Sequence, residues 1–454
     1  MTSMTLSLRQ YKHLRRNIAC FLCDYLMFGM AYSLIGTNST IVPSFISEIS
    51  DSKLLIGFTG SLYLISWLLP QLLFAQIVSR ASRRKPFIHP VVFFRLTIIV
   101  AALVIGTIGA ANPEGALTVF LIAYAVFALG DALISIAWGD LLGSSLPHAI
   151  RGTMFGVGQF AVAFGALGMS ALARWALGKS GLPFPHNFVL LFGVAGILFL
   201  IGGVALALLK EEASPTPIET GPSLRRYIPY LGRILRQDRP FRRFITMRLF
   251  IDMAVMAAPF YAVFAIGTLA IPRDRLVGDS IILIQIGNAT ASLLMAYVSR
   301  RSGSRAVLLV AVTFAIIETG LALFSALSGG ILLLHLAFIA TGAFHGIIYA
   351  GYFDWVITYA PASDRPIYFG LSNTFGAVGN LGPVIGGAIL QVVSRPALPD
   401  LRWLGWGITP VSVTPYAVVF TVALGLAVIG LVGVLRLPEP RPLAAQRDLA
   451  AAAG

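Results

Sequence analysis

The chain has 454 residues, of which 57% are hydrophobic and only 11% charged, with a mean hydropathy of +0.84. Water-soluble domains are nearer a quarter charged, so this composition excludes an ordinary soluble enzyme. The formal net charge is +14, but the basic residues lie in short stretches between apolar runs, which argues against a nucleic-acid partner and for the edges of a lipid bilayer.

Apolar runs of about 20 residues, the length that crosses a bilayer as a helix, recur from end to end. Twelve spans are predicted, over about 17–46, 53–78, 87–111, 115–143, 152–177, 187–210, 244–270, 276–299, 305–327, 329–359, 367–394 and 413–437. The first run is too long for a cleavable signal, and no small-residue cleavage site follows it. Cys20 and Cys23 fall inside it as a lone C-x-x-C, which reads as helix packing rather than metal or redox chemistry.

Lysine and arginine set the orientation. With the termini and the even-numbered connections on one side, that side carries 24 basic residues and the other 7, while Arg95 and Arg248 lie inside spans. The basic side includes Arg9, Lys12, Arg80, Arg151, Arg300 and Arg365; the opposite side includes Lys53, Arg174, Lys179, Arg273, Arg395 and Arg402. Both termini are therefore expected in the cytoplasm, in a multi-pass protein of the plasma or inner membrane. Trp175, Trp403 and Trp406 then fall near the outer interface, where amphipathic rings are favoured.

The stretch 140–168 is repeated at 354–382 without a gap. Asp140 matches Asp354, Pro147 Pro361, Arg151 Arg365, Gly156 Gly370, Gly165 Gly379 and Gly168 Gly382. A second echo, Val78-Ser79-Arg80 against Val298-Ser299-Arg300, supports two related halves. Self-similarity at half-length in so apolar a chain points to a transporter built from parallel repeats. The expected fold is all-α: twelve transmembrane helices in two pseudo-symmetric six-helix bundles. The expected division is a first bundle over 1–210, a basic cytoplasmic linker over 211–243, a second bundle over 244–437 and a tail over 438–454. The linker holds Pro215, Pro217 and Pro222, and its later part has helical apolar spacing suited to a helix lying along anionic lipid.

Charge inside a bilayer is costly, so each ionisable residue within a span is a functional candidate. Asp24 in span 1 has no counter-charge in its own helix, and Arg95 in span 3 is its candidate partner. Arg248 and Asp252 in span 7 stand one turn apart and can pair within the helix. Asp131 lies near the middle of span 4, and His345 occupies the matching place in span 10. Together they suit solute binding or proton relay. Glu318 in span 9 and His335 in span 10 are further candidates. Gln159 and Asn373 are repeat-related polar residues; Asn288 and Asn380 could add hydrogen bonds. Tyr32, Trp67, Phe260, Tyr349 and Tyr352 could wall a cavity, although aromatic rings in membrane helices more often pack.

Twelve spans, two similar halves and a long basic central segment resemble the major facilitator superfamily over roughly residues 10–440. The loop after span 2 in that family resembles G-x-L-x-D-R-x-G-R-[RK]. Here it is Ala75-Gln-Ile-Val-Ser79-Arg80-Ala-Ser82-Arg83-Arg84-Lys85, so Ser79 replaces the acid. The G-P-x-x-G-G pattern of the family's antiporters occurs as Gly382-Pro383-Val-Ile-Gly386-Gly387, but in span 11 rather than span 5. The resemblance implies that spans 1, 4, 7 and 10 line a central cavity. It implies that span 9 is peripheral, so that Glu318 pairs within its own half. The repeat places Asp140 eleven residues before Arg151 and Asp354 eleven before Arg365, near the cytoplasmic helix ends. These read as gate residues set against basic residues of the neighbouring loops, Arg80 and Arg300 among them; the resemblance implies similar acid–arginine pairs at a different spacing.

The expected function is a secondary active transporter that moves a small solute by alternating access. Proton coupling is expected, with Asp131 as the main protonation site and Asp24 beside Arg95 as second choice. A drug or metabolite efflux antiporter, a facilitative uniporter, and a non-transporting receptor on the same fold are the alternatives. Gly178-Lys179-Ser180 ends like a phosphate-binding loop, but Ala173 stands where the first glycine is needed. No enzyme, cofactor or metal is expected; the partners are the solute, protons and the bilayer, and the protein is expected to be monomeric. In a chain with Cys20 and Cys23 replaced, cysteines at Ser3 and Ala450 should stay unlabelled by an impermeant thiol reagent outside intact cells. Labelling of either reverses the orientation.

Overall fold

A computed structural model describes residues 13–79, 81, 83–146, 148–211, 224–361, 364–394 and 414–440. Arg9, Lys12, Arg80, Ser82, Pro215, Pro217, Pro222, Arg395, Arg402, Trp403 and Trp406 lie outside these residues, as do the side chains of Ala75, Gln76, Ser79, Asp140, Arg151 and Arg300.

An apolar run in hydrocarbon must satisfy every backbone N–H and C=O internally, and the helix does so within one segment. Among the described residues twelve helices are long and apolar enough to cross a membrane. They are Leu14–Ile35, Lys53–Phe74, Lys85–Ile108, Pro113–Gly139, Met154–Leu177, His186–Ala207, Arg239–Gly267, Arg273–Ser299, Arg301–Ser328, Ile331–Tyr359, Ile367–Val393 and Pro415–Leu435. These are spans 1 to 12 below. No strand occurs among the described residues.

Span 1 departs from the sequence expectation of 17–46. Its helix ends at Ile35, and a separate short helix occupies Ile41–Ile49. The stop is local chemistry that apolarity hides. The Gly36 N–H caps the Tyr32 carbonyl at 2.7 Å, and the Ser39 hydroxyl donates to the Leu34 carbonyl at 2.6 Å. Pro43 then falls in the first turn of the new helix, where its missing N–H costs nothing.

Three further breaks interrupt the spans. Span 2 is divided at Leu69–Pro70. Span 7 passes through a 3-10 turn at Val255–Ala257, and span 11 breaks at Asn380–Leu381. Spans 8 and 9 are joined at Gly303, whose φ of +78° lies in the left-handed region that glycine enters without penalty. The linker forms a helix over Leu224–Gln237, and Asp238 caps span 7 by accepting from the Phe241 N–H at 2.9 Å.

The chain divides into two compact units, Met1–Ser39 with Leu62–Ile234, and Thr40–Ser61 with Leu235–Gly454. The second unit thus begins within the 211–243 segment and also holds the Ile41–Ile49 helix and the start of span 2. In the first unit the interior is aromatic: Phe28 and Phe127 meet Phe199 at 5.0 and 4.6 Å between ring centroids, and Phe120 stacks on Phe192 at 4.8 Å. In the second, Phe244 stacks on Trp355 at 4.3 Å. Large apolar side chains such as Phe160, Phe164, Leu293 and Leu332 are exposed along the helices. A soluble protein does not carry so much apolar surface, and lipid covers it here.

Lipid tails are as apolar as leucine, so helix association in a membrane depends on close packing rather than on the hydrophobic effect. The second unit shows this where spans 8 and 10 cross. A Cβ on Gly287 would overlap the Ile339 carbonyl oxygen, and a Cβ on Gly342 would overlap the Ile284 carbonyl oxygen. Within the Gly382-Pro383-Val-Ile-Gly386-Gly387 run the same device recurs. Gly382 lies against the Met253 backbone, Gly386 against Met256 and Gly387 against Lys53. Gly342→Ala should lower the melting temperature in detergent by several degrees, on the scale of ~1–3 kcal/mol for overpacking. Gly320→Ala, where the added methyl meets open space, should leave it unchanged or higher; equal melting temperatures would refute the tight crossing.

Candidate functional site

The first unit holds two carboxylates in different circumstances. Asp24 on span 1 is 5% exposed, and Arg95 on span 3 donates to its Oδ1 at 2.7 Å. Arg95 also donates to the Phe199 carbonyl at 3.0 Å and stands 5.3 Å from the centre of the Phe28 ring. Gly202 on span 6 leaves the room for this pair, because a Cβ there would lie 2.9 Å from Arg95 Nη1 and 3.0 Å from Asp24 Oδ1. The sequence pairing of Asp24 with Arg95 is therefore the pairing found. Its physical content is a buried ion pair whose halves neutralise each other in a low dielectric.

Asp131 on span 4 is also buried, but its partner is neutral: the Tyr63 hydroxyl donates to Oδ2 at 3.2 Å. Tyr63 is set among rings, with Tyr32, Tyr124 and Phe127 at centroid distances of 5.8, 5.6 and 6.1 Å. The other two hydroxyls of this group are committed elsewhere, Tyr32 to Thr37 Oγ1 at 2.8 Å and Tyr124 to the Ile35 carbonyl at 2.7 Å. Gln159 accepts from Tyr25 at 3.0 Å.

The second unit builds a closed network around Arg248. Its Nε donates to Asp252 Oδ2 at 3.2 Å, and its Nη1 donates to Asn373 Oδ1 at 3.1 Å and to the Ser372 hydroxyl. The guanidinium lies 4.4 Å from the centre of the Tyr352 ring, and the Tyr352 hydroxyl donates to Asp252 Oδ1 at 3.1 Å. Arg248, Asp252, Tyr352 and Asn373 were all expected to matter; the structure joins them into one cluster. His345 is half-buried, its Nδ1 on the Thr341 carbonyl at 2.9 Å, and Tyr349 meets Tyr352 edge-on at 6.4 Å.

Asp354 accepts from the Ser304 hydroxyl at 2.6 Å, and Arg365 is exposed and forms no ion pair among the described residues. The structure thus does not bring Asp354 and Arg365 together. The residue that gathers partners at that end is Asp238, which accepts from Tyr359 at 2.6 Å and Tyr368 at 2.8 Å while capping span 7. Sequence reasoning missed Asp238, Tyr63 and Ser372. For Asp238 a signal existed, an aspartate followed by Arg-Pro at a helix start. Tyr63 and Ser372 carried none, because single hydroxyls are common in membrane helices. Among the described residues no group of three His, Cys, Asp or Glu is placed to hold a metal ion.

Twelve apolar helices with buried charge pairs define a multi-pass membrane protein of transporter architecture. The family model of the Major Facilitator Superfamily matches residues 18–379, and the chain belongs to that family, whose members are transporters rather than enzymes. No curated protein is similar enough in sequence to serve as a relative. Solved structures with the same fold include a D-xylose-proton symporter, at 16% identity and TM-score 0.68, covering 95% of this chain and 99% of that one. A nucleoside transporter, NupG, aligns at 12% identity and TM-score 0.60, covering 92% and 98%. A bacterial homologue of the iron transporter ferroportin in an inward-facing state aligns at 15% and 0.63, covering 93% and 99%.

Removing one member of a buried ion pair strands the other, at a cost of about 3–5 kcal/mol, whereas replacing both with apolar groups is far milder. Arg95→Met should therefore lower the melting temperature more than Arg95→Met combined with Asp24→Leu. Thermal unfolding of the purified proteins checks this, and a double variant less stable than the single one contradicts the pairing.

Proposed function

We infer that this member of the Major Facilitator Superfamily moves a small solute by alternating access and couples the movement to protons, with Asp131 as the main protonation site. One observation carries the coupling. Asp24 and Asp252 each meet an arginine, but Asp131 is buried against a tyrosine hydroxyl and forms no ion pair among the described residues. An arginine holds a carboxylate in its charged form, whereas a hydroxyl can donate to the charged form or accept from the neutral one. Asp131 is thus the acid of the first unit best able to take and release a proton.

The clusters around Arg95 and Arg248 then hold the helices and supply polar surface, with Tyr32, Tyr349 and Gln159 as further solute contacts. The sugar and nucleoside named for two of the fold's members suit such hydroxyl- and amide-rich walls. We place the protein in the cytoplasmic membrane as a monomer, with both termini and the Leu224–Gln237 helix on the cytoplasmic side, from the asymmetry of basic residues.

The test is transport in proteoliposomes of a solute found by thermal-shift screening, beginning with pentoses and nucleosides. Native protein should accumulate the solute against its gradient only when a pH gradient is imposed. Asp131→Asn should still exchange labelled for unlabelled solute but should not accumulate it. Equal accumulation without any pH gradient, or full proton-driven accumulation by the variant, removes Asp131 from the coupling step.

A further inference from the structure

Glu318 on span 9 is 2% exposed, and its Oε2 meets no hydrogen-bond partner among the described residues. The family resemblance led to the expectation of a partner within its half, yet Glu318 forms no ion pair among the described residues. The buried and partnered charged groups of span 9 and its neighbours are engaged elsewhere. Arg305 donates to the Val434 and Leu435 carbonyls, and Arg301 lies over the Tyr297 ring at 4.7 Å. On span 7, Arg248 and Asp252 bind each other. On span 10, His335 faces Asp279 at 3.5 Å, His345 holds the Thr341 carbonyl, Tyr352 and Tyr359 donate to Asp252 and Asp238, and Asp354 accepts from Ser304. Tyr349 packs on Tyr352, and on span 12 Tyr416 packs on Phe264 and Phe420.

The polar groups nearest Glu318 that the structure shows are hydroxyls. Thr341 on span 10 is beside its carboxyl, and Tyr261 on span 7 is within electrostatic reach. Both residues are buried, and the Tyr261 hydroxyl, like Glu318 Oε2, has no partner among the described residues. The Thr341 hydroxyl donates its single proton to the Ala337 carbonyl at 3.0 Å. It therefore offers Glu318 only lone pairs, which suit a carboxylic acid O–H and repel a carboxylate.

We propose that Glu318, with Thr341 and Tyr261, is a second proton-binding site, neutral in the state seen here and able to exchange its proton. The neutral acid donates to Thr341 Oγ1. When the proton leaves, as R–COOH giving R–COO⁻ and H⁺ to entering water, Thr341 turns its hydroxyl from Ala337 toward the carboxylate. Tyr261, whose hydroxyl makes no hydrogen bond to Oε2 in the state seen here, moves in to donate to the second oxygen. Thr341 thus serves both protonation states by turning its hydroxyl, and Tyr261 serves the charged form by a shift of its side chain toward Oε2. An acid kept only for packing would have both oxygens satisfied in one fixed arrangement. The place of this site in a transport cycle rests on the proton-coupled reading above; the binding of the proton does not.

The test is infrared spectroscopy of the full-length protein in lipid vesicles, across a pH titration and after transfer to deuterium oxide. At neutral pH the native protein should show a protonated-carboxyl stretching band that shifts in deuterium oxide and fades as pH rises. Glu318→Gln should lose that component, Asp131→Asn should keep it, and Tyr261→Phe should move its frequency or its titration midpoint. A band unchanged in Glu318→Gln, or one that neither shifts in deuterium oxide nor titrates, overturns the proposal. Should Glu318→Gln fail to fold, Tyr261→Phe decides, and an unmoved band overturns the site. Because the readout needs no solute, a failure of proton-driven transport in Asp131→Asn leaves this result standing, and the reverse holds equally.

Discussion

Charge in hydrocarbon has to be neutralised locally, and this constraint orders the interior of both units. A carboxylate or guanidinium taken out of water loses several kcal/mol of solvation, which only a close partner with good geometry restores. Arg95 meets this need with Asp24 and a backbone carbonyl, Arg248 with Asp252, Ser372 and Asn373. Each cluster also fixes its neighbours. Gly202 and Gly376 sit where any side chain would displace a guanidinium, so the glycines of spans 6 and 11 are there because of the arginines of spans 3 and 7.

The spans were legible in the sequence because the signal is physical and local: a helix must stay apolar for the thickness of the bilayer. The pairing of Asp24 with Arg95 was legible for the same reason, since two isolated charges in apolar runs have few partners to choose from. The end of span 1 was not. Gly36, Ser39 and Pro43 stop one helix and start another through capping hydrogen bonds, in a stretch that remains apolar enough to read as one span. A hydropathy argument measures transfer to lipid and does not register a cap.

The candidate site divides along the same line. The residues read correctly as a cluster, Arg248 and Asp252, are four apart on one helix, where geometry follows from the helical repeat. Those that were missed act across the fold: Tyr63 reaches Asp131 from another span, and Tyr359 and Tyr368 reach Asp238 over more than a hundred residues of chain. Nothing in a tyrosine's neighbours along the sequence says which carboxylate it will meet. The expected gate residues show the converse. The matched spacing of Asp354 and Arg365 suggested a shared gating network, and in the structure the Asp354 carboxylate accepts from Ser304.

The nature of the partner, more than the presence of an acid, separates the roles of the buried carboxylates. An arginine lowers the energy of the charged form alone, so protonating Asp24 or Asp252 would strand a buried cation and undo the cluster around it. A hydroxyl has both a proton and lone pairs to offer, and by turning about one bond it serves either form of the acid beside it. Tyr63 at Asp131 is a partner of that second kind, and Thr341 with Tyr261 is the proposed counterpart at Glu318. The first kind of site resists a change of protonation and holds helices; the second tolerates one and can report it to the helices that carry the hydroxyls. Among the described residues each unit contains a carboxylate held by arginine, Asp24 or Asp252, and one buried without an ion pair, Asp131 or Glu318.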